Sequence, residues 1–205
     1  MAGPTSHVAR DARWRAVNPE PKGQPEAGRL LRPLELILFT ATLAFFFVFN
    51  FTSLPGSMPR LLAAGHQTVP FEARMFFAPE DVPRTLDDLG AAGREAYLDL
   101  LRLDMFFPPV YCGFFLVSLL QLRAGRGFVS RLGRWLYALP AVLLVCDYIE
   151  NLTLWHLLAQ YPASADACWT VLAISTPAKA LLFVGLLLLV LTGYAHGAFL
   201  RLRNN

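Results

Sequence analysis

Four long apolar stretches, separated by polar segments, dominate the sequence. A helix that crosses the hydrocarbon core of a bilayer needs about 20 mostly apolar residues, and each stretch reaches or approaches that length. The pattern predicts spans at residues 34–51, 104–122, 135–159 and 170–200. The second span contains Pro108 and Pro109, which a membrane helix tolerates near its end. We therefore expect an all-α fold, a bundle of four antiparallel transmembrane helices.

The polar segment between the first two spans is too long to be a simple turn. The stretch "APEDVPRTLDDLG" places Pro79 at a helix start and Gly90 where a helix end belongs. The stretch "AAGREAYLDLLRLDMFF" then carries the apolar stripe of an amphipathic helix. Such a helix lies on the membrane surface, caps the bundle or runs straight into the second span. The sequence thus predicts a helical segment outside the membrane between spans 1 and 2.

The first 33 residues differ in composition from the rest of the chain. They are polar, contain several prolines and glycines, and lack the apolar core of a secretory signal. A segment of this composition cannot bury enough apolar surface to fold by itself. We expect residues 1–33 to form a disordered cytoplasmic tail and residues 34–204 to form a single transmembrane domain.

The distribution of charge predicts the orientation of the spans. Basic residues favour the cytoplasmic side of a membrane. Residues 1–33 carry six basic and three acidic groups, residues 123–134 carry four arginines and no acid, and residues 201–205 add two arginines. In contrast, residues 52–104 carry five basic and eight acidic groups. Both termini are therefore expected in the cytoplasm, with the helical segment between spans 1 and 2 on the extracytoplasmic side.

Composition excludes several classes of function. The chain is 55% hydrophobic and 16% charged, whereas soluble domains carry about a quarter charged residues, so a membrane protein is indicated. The net charge of +3 is too small and scattered to indicate nucleic-acid binding. The three cysteines form no CxxC pair, which argues against a zinc site or a thiol oxidoreductase. No metal or cofactor is predicted, and the scarcity of lysine among the basic residues suggests a bacterial inner (plasma) membrane protein.

Strongly polar residues interrupt the third span. Asp147, Glu150 and Asn151 in "VCDYIENLTLWH" are spaced i, i+3, i+4, which places them on one helix face. Asp147 falls at the midpoint of the span, and a rise of about 1.5 Å per residue puts Glu150 roughly 4–5 Å closer to the outer surface. A charge at such depth costs about 2.5–3.5 kcal/mol on insertion scales. These side chains are therefore expected to face the interior of the bundle.

Other spans supply possible partners for this face. Lys179 lies roughly 9 Å outside the midplane of the fourth span, within side-chain reach of Glu150. Tyr111 of the second span and Asn50 of the first lie in the outer half of the bundle. The candidate catalytic residues are Asp147, Glu150 and Lys179, and the candidate substrate-binding residues are Asn151, Tyr111 and Asn50.

Two interpretations of these polar residues remain open. Two ionised carboxylates one helical turn apart repel each other, so Asp147 and Glu150 either share a proton or use Lys179 as a counter-ion. A functional site would handle protons or polarise an apolar, lipid-like substrate. A structural role would pair the same groups to hold the helices together, and Lys179 by itself is also able to extend toward the outer headgroups.

Several motifs resemble those of a group of small, uncharacterised bacterial integral membrane proteins with four helices. The similar stretches are "APEDV", "LGAAGREAYL", "LDMFFPPVY", "CDYIEN" and "STPAK", between Ala78 and Lys179. The resemblance implies four spans with a helical hairpin outside, and it marks the "DxxEN" stretch as the distinctive feature. It implies no known activity.

The sequence therefore supports two functional hypotheses for a protein whose partners include the lipid bilayer. In the first, the chain is a transporter or an enzyme whose Asp147 and Glu150 exchange a proton or polarise a lipid-like small molecule. In the second, it is a structural or assembly subunit in which the polar residues only lock the helices together. The sequence leaves its protein partners undefined and does not decide whether the chain is an enzyme.

Overall fold

The chain forms helices connected by turns and loops in the computed structural model, which describes residues 26–124, 129, 132–163 and 166–203. No strand occurs within those ranges. The α-helices are α1 (Glu26–Phe51), α2 (Met58–Ala64), α3 (Asp81–Asp88), α4 (Gly90–Asp104), α5 (Phe107–Ala124), α6 (Leu139–Gln160) and α7 (Asp166–Arg203). Short 3-10 turns cover Phe71–Ala73 and Arg134–Tyr137. The predicted all-α class is confirmed.

Four helical segments are long and apolar enough to cross a membrane. They are Leu30–Phe51, Gly90–Ala124, Arg134–Gln160 and Asp166–Arg203, so the four predicted apolar helices are present. Helix α1 begins before the predicted span, at Glu26, and the last eight residues of the predicted tail are helical. Residues 1–25 of that tail lie outside the described part of the chain.

The polar segment after α1 is folded into short helices. Helices α3 and α4 meet at Gly90, which has φ +64°, a left-handed conformation that glycine adopts without steric cost. This residue follows the end of α3, as the sequence predicts. Only a two-residue turn at Met105 and Phe106 separates α4 from α5. The amphipathic helix therefore leads almost directly into the second apolar helix.

Helix α5 is central to the packing of the apolar helices. It packs against α1, α6 and α7, while α6 and α7 pack most extensively against each other. Helix α1 is peripheral: only 6% of its apolar window is buried. Asp147, Glu150 and Asn151 of α6 and Thr176 of α7 are buried among these helices.

The buried apolar residues form two clusters. The first lies under the short helices and joins Leu61, Phe71 and Leu101 to Leu154 and Leu157 of α6. Gly65 and Gly93 lie close together beside it, because a Cβ on Gly93 would be only 2.7 Å from the Gly65 Cα atom. A side chain on Gly93 would therefore push α4 away from the end of α2. The short helices are therefore packed onto the end of the bundle.

The second apolar cluster lies between the long helices. It contains Phe115 and Leu119 of α5, Leu143 of α6, and Leu186 and Val190 of α7. All five are at most 2% exposed. The boundary between the two apolar clusters is occupied by the polar residues described next.

Candidate functional site

The polar residues of α6 lie on its buried face. Asp147, Glu150 and Asn151 are 3%, 0% and 0% exposed. Their i, i+3, i+4 spacing turns all three toward neighbouring helices, and Leu154 and Leu158 continue the same buried face. The predicted shared face is confirmed.

Lys179 of α7 pairs with both carboxylates. Its Nζ atom lies 3.6 Å from Asp147 Oδ1 and forms an ion pair with Glu150 Oε2. The lysine side chain is 18% exposed, whereas those of Asp147 and Glu150 are 4% and 0% exposed. The ammonium group is thus directed into the helix bundle rather than toward a headgroup layer.

Each of the two carboxylates also accepts a hydrogen bond from a neutral hydroxyl. Thr176 Oγ1 donates to Glu150 Oε1 at 2.6 Å, and the Tyr111 hydroxyl donates to Asp147 Oδ2. Thr176 lies three residues before Lys179 on α7, so the same face of that helix supplies both the cation and a donor. Tyr111 is held in place by edge-to-face packing with Phe107 and Phe183.

A third acidic residue enters from the end of α4. Asn151 Nδ2 donates to Asp104 Oδ2 at 2.9 Å, and Asp104 is 9% exposed. The Tyr148 hydroxyl donates to the Met105 carbonyl at 3.1 Å, which fixes the turn between α4 and α5 against α6. Asp104, Asp147, Glu150, Asn151, Thr176, Lys179 and Tyr111 are called the acid–lysine cluster below.

Acidic groups outnumber the base in this cluster. Asp147 and Glu150 pair with Lys179, and Asp104 accepts a hydrogen bond from Asn151 beside them, so full ionisation would bury a net negative charge among apolar helices. Because Asp147 Oδ1 and Glu150 Oε2 face the Lys179 ammonium, the buried oxygens that are left without a donor among the described residues are Glu72 Oε1 and Asn151 Oδ1. Most buried polar atoms in proteins have a hydrogen-bond partner.

A fourth acid, Glu72, approaches the acid–lysine cluster from the Phe71–Ala73 turn. The Tyr97 hydroxyl donates to Glu72 Oε2 and accepts a hydrogen bond from the Phe71 backbone N–H at 3.0 Å. The pKa of Glu72 is raised to about 7, chiefly by burial and also by the charge of Glu150, while Lys179 opposes the shift. The sequence analysis missed Glu72 because it lies in an irregular segment with no periodicity.

Asn50 is not brought to the acid–lysine cluster. Its side chain is exposed and donates to the Phe46 carbonyl of its own helix at 2.8 Å. The polar side chain that the sequence predicts at the outer end of the first span thus makes a hydrogen bond within its own helix. The other five predicted site residues, Asp147, Glu150, Lys179, Asn151 and Tyr111, do meet in one place.

A separate polar site surrounds Glu35 of α1. Ser118 Oγ donates to Glu35 Oε1 at 2.6 Å, Gln121 Nε2 donates to Oε2, and the Tyr194 hydroxyl donates to Oε1. These four residues, called the Glu35 site, connect α1, α5 and α7. The sequence analysis overlooked Glu35, although a lone acid within "LELILFT" is a recognisable signal.

Aromatic side chains separate the two polar sites. Phe115 lies between Tyr111 and Ser118 along α5 and is 1% exposed. Its ring packs edge-to-face on that of Phe183, with centroids 5.4 Å apart. The two sites are therefore distinct polar regions on one face of α5.

Comparison of the chain with known proteins identifies no family. No family model, curated protein or solved structure matches the chain. Within the described residues, no group of three or more His, Cys, Asp or Glu side chains is arranged to hold a metal ion. The resemblance to small bacterial membrane proteins stays a prediction.

Proposed function

We propose that this chain is a multi-pass inner membrane protein whose acid–lysine cluster binds and exchanges a proton. The observation that carries the proposal is the enclosure of three carboxyl groups with one lysine between apolar helices. Asp147 and Glu150 hold the exchangeable proton and Lys179 balances the remaining charge. Proton exchange of this kind serves both transport and reactions on a lipid-like substrate.

The excess of acidic over basic groups supports the proposal that the cluster binds a proton. Like charges held this close in a poorly solvated site disfavour full ionisation, and groups that interact so strongly titrate as a unit. Lys179 compensates one negative charge, and a proton shared among Asp104, Asp147 and Glu150 reduces what is left. The titrating unit in this proposal is the whole cluster.

Neutral residues of the cluster position the carboxyl groups. Tyr111 orients Asp147, Thr176 orients Glu150, and Asn151 fixes Asp104 at the end of α4. Glu72 and Tyr97 are hydrogen-bonded to each other in the segment between the first two spans, and the charges of Glu150 and Lys179 act on Glu72. In this proposal, protons enter through that segment.

The membrane arrangement that we propose has four antiparallel spans with both termini in the cytoplasm. Ring contacts support opposite directions for α1 and α5, because Phe39 meets Phe114 at 5.5 Å and Phe45 meets Phe107 at 5.4 Å. The basic residues at both ends of the chain and in the loop after α5 support a cytoplasmic location of those segments. The short helices α2 and α3 and the start of α4 then lie on the extracytoplasmic side.

A structural role is the second candidate, and one observation favours it. The hydrogen bonds and ion pairs of the cluster join α4, α5, α6 and α7, and the side chains other than that of Lys179 are almost fully buried. Polar groups paired across helices stabilise membrane bundles. In that case the cluster specifies how the helices pair and exchanges no proton.

Infrared spectroscopy of the purified protein in lipid nanodiscs tests the leading proposal. At about neutral pH the wild type is expected to show a protonated-carboxyl C=O band that shifts in D2O and disappears on alkaline titration. Asp147→Asn and Glu150→Gln should remove or shift this band while both variants remain folded. Glu95→Gln, on the outer face of α4, is the matched control and should leave it unchanged.

Thermal unfolding separates the two candidates. A structural lock predicts that each single substitution abolishes the folded protein and that a paired apolar replacement of Glu150 and Lys179 restores it. Proton binding predicts that Asp147→Asn and Glu150→Gln fold and lose the exchangeable band. Absence of that band from the folded wild type at neutral pH would refute the proton proposal.

A further inference from the structure

The Glu35 site borders a cavity that opens on the side of the bundle. The cavity has a volume of about 310 Å³ and lies between α1 and α7 over α5. Its apolar walls are Leu36, Phe39, Phe114, Val190 and Leu191. Ligand sites in proteins are usually concave and largely apolar, with a few polar groups that fix orientation, and this volume lies at the lower end of their range.

The polar groups of the cavity lie at one of its ends. The side chains of Glu35 and Tyr194 are hydrogen-bonded to each other. Phe39 lies one turn further along α1, and Val190 lies one turn before Tyr194 on α7. The cavity thus has a polar end near the start of the first span and an apolar end toward its middle.

The side of this cavity faces the surroundings of the bundle. Leu36 and Leu191 are 65% and 56% exposed, and both belong to helices long and apolar enough to cross a membrane. In the membrane arrangement proposed above, on which this inference rests, the hydrocarbon of the bilayer reaches the cavity. A molecule that enters from this side needs an apolar body.

Glu35 has no cationic partner among the described residues. Its three hydrogen-bond donors, Ser118, Gln121 and Tyr194, are all neutral. These donors satisfy both carboxyl oxygens of Glu35 but supply no positive charge. An ammonium group is the ligand chemistry that pairs with a carboxyl group of this kind.

We propose that this cavity binds a single-chain amphiphile with a primary ammonium head. The head pairs with Glu35, and the tail lies along Phe39, Phe114 and Leu191 toward the middle of the membrane. Glu35 is five residues into the first span, about 7.5 Å along the helix axis, so the bound molecule has the orientation of a lipid in a leaflet. The inference is independent of proton exchange at the acid–lysine cluster.

Binding of three amphiphiles with equal tails tests the proposal. The full chain in phosphatidylcholine nanodiscs is titrated with dodecylamine, dodecanol or dodecanoic acid, and bound molecules are counted by native mass spectrometry. One dodecylamine is expected to bind roughly tenfold more tightly than dodecanol, a charge-pair effect of modest size, and dodecanoic acid most weakly. Glu35→Gln should bring dodecylamine to the level of dodecanol.

A pair of tryptophan variants keeps the test valid if Glu35→Gln loosens α1. Leu191→Trp fills the cavity and leaves Glu35 in place, so it should abolish binding of all three molecules. Leu188→Trp is the matched control, because Leu188 lies on the same helix, is also 56% exposed and does not line the cavity. It should bind dodecylamine as the wild type does.

Three results would overturn the proposal. The first is equal binding of the amine and the alcohol to the wild type, which would show that charge is not recognised. The second is equal loss of binding in both tryptophan variants. The third is binding without saturation, which would indicate partition into the bilayer only.

Discussion

The acid–lysine cluster and the Glu35 site use the same face of α5 but handle buried charge differently. In the first, Lys179 pairs with Asp147 and Glu150 while Asp104 accepts a hydrogen bond from Asn151, and all three carboxyl groups are enclosed by helices. In the second, one carboxyl group accepts hydrogen bonds from three neutral donors beside an open cavity. A carboxyl group among apolar helices therefore has two kinds of partner here, a cation or a set of neutral donors.

This difference predicts unequal sensitivity to substitution. Removal of a counter-ion leaves several charges uncompensated, whereas removal of one neutral donor leaves the others in place. The following four expectations test that contrast, and they proceed from the largest effect to the smallest.

The largest effect is expected for Lys179→Met. Removal of one partner of a buried ion pair costs about 3–5 kcal/mol, and here it leaves Asp147 and Glu150 without a cation. The variant should show a much lower Tm than the wild type in nanodiscs at about neutral pH. A Lys179→Met protein as stable as the wild type would contradict the ion-pair role.

A smaller effect is expected for Thr176→Val, which removes the donor to Glu150 without a change in shape. A hydrogen bond to a charged group contributes about 1.5–3 kcal/mol. Ser118→Ala is the counterpart at the Glu35 site and should cost less, because Gln121 and Tyr194 still donate to Glu35. Chemical unfolding of both variants measures the difference, and an equal loss would remove the distinction between the two sites.

Glu72→Gln is expected to change how stability depends on pH. The pKa of Glu72 is raised by burial from 4.5 to about 7 in the folded protein, with Glu150, Lys179 and Tyr97 facing it. The folded state thus holds the Glu72 proton more tightly than the unfolded state does. The stability that this proton contributes is complete below about pH 4.5 and is lost as the pH rises to about 7.

Because glutamine is neutral at every pH, the variant should lack that loss. The Tm of the variant minus that of the wild type should be a few degrees larger at about pH 8 than at about pH 4.5. Glu80→Gln, an exposed residue of the same segment, is the control. Parallel Tm profiles for Glu72→Gln and the wild type would contradict a proton on Glu72.

The smallest effect is expected for Asn50→Ala. Its exposed side chain donates only to the Phe46 carbonyl, and substitutions away from buried networks change stability by about 0.5 kcal/mol or less. The infrared band of the acid–lysine cluster and the binding of dodecylamine should both match the wild type. A change in either measurement would return Asn50 to the candidate sites.

Much of the acid–lysine cluster was predictable because its members lie in regular helices. The spacing of Asp147, Glu150 and Asn151 determines a common face, and depth along the third and fourth spans brings Lys179 level with Glu150. Residue count places Asn50 in the outer half of the first span, but its side chain lies on the exposed side of that helix. Depth follows from residue count, whereas the rotation of one helix against another depends on packing.

The residues that sequence reasoning missed share one property, which is that their partners are distant in the chain. Glu72 meets Tyr97, and Glu35 meets Ser118 and Tyr194. No local periodicity in the sequence identifies the partner of an isolated acidic residue in a turn or at the end of a span. Side-chain contacts across elements had to be seen before either group became a candidate.

The sequence by itself determined four apolar helices, the polar face of the third and the distribution of charge between the loops, because each depends on local composition and on the pitch of one helix. Tertiary structure decided that α5 is central, that α1 is peripheral, and that α4 brings Asp104 to Asn151. It also decided that Glu35 borders a cavity and has neutral partners among the described residues. The physical reason is that packing between helices, which sets rotation and neighbours, arises from many weak contacts between residues far apart in the chain.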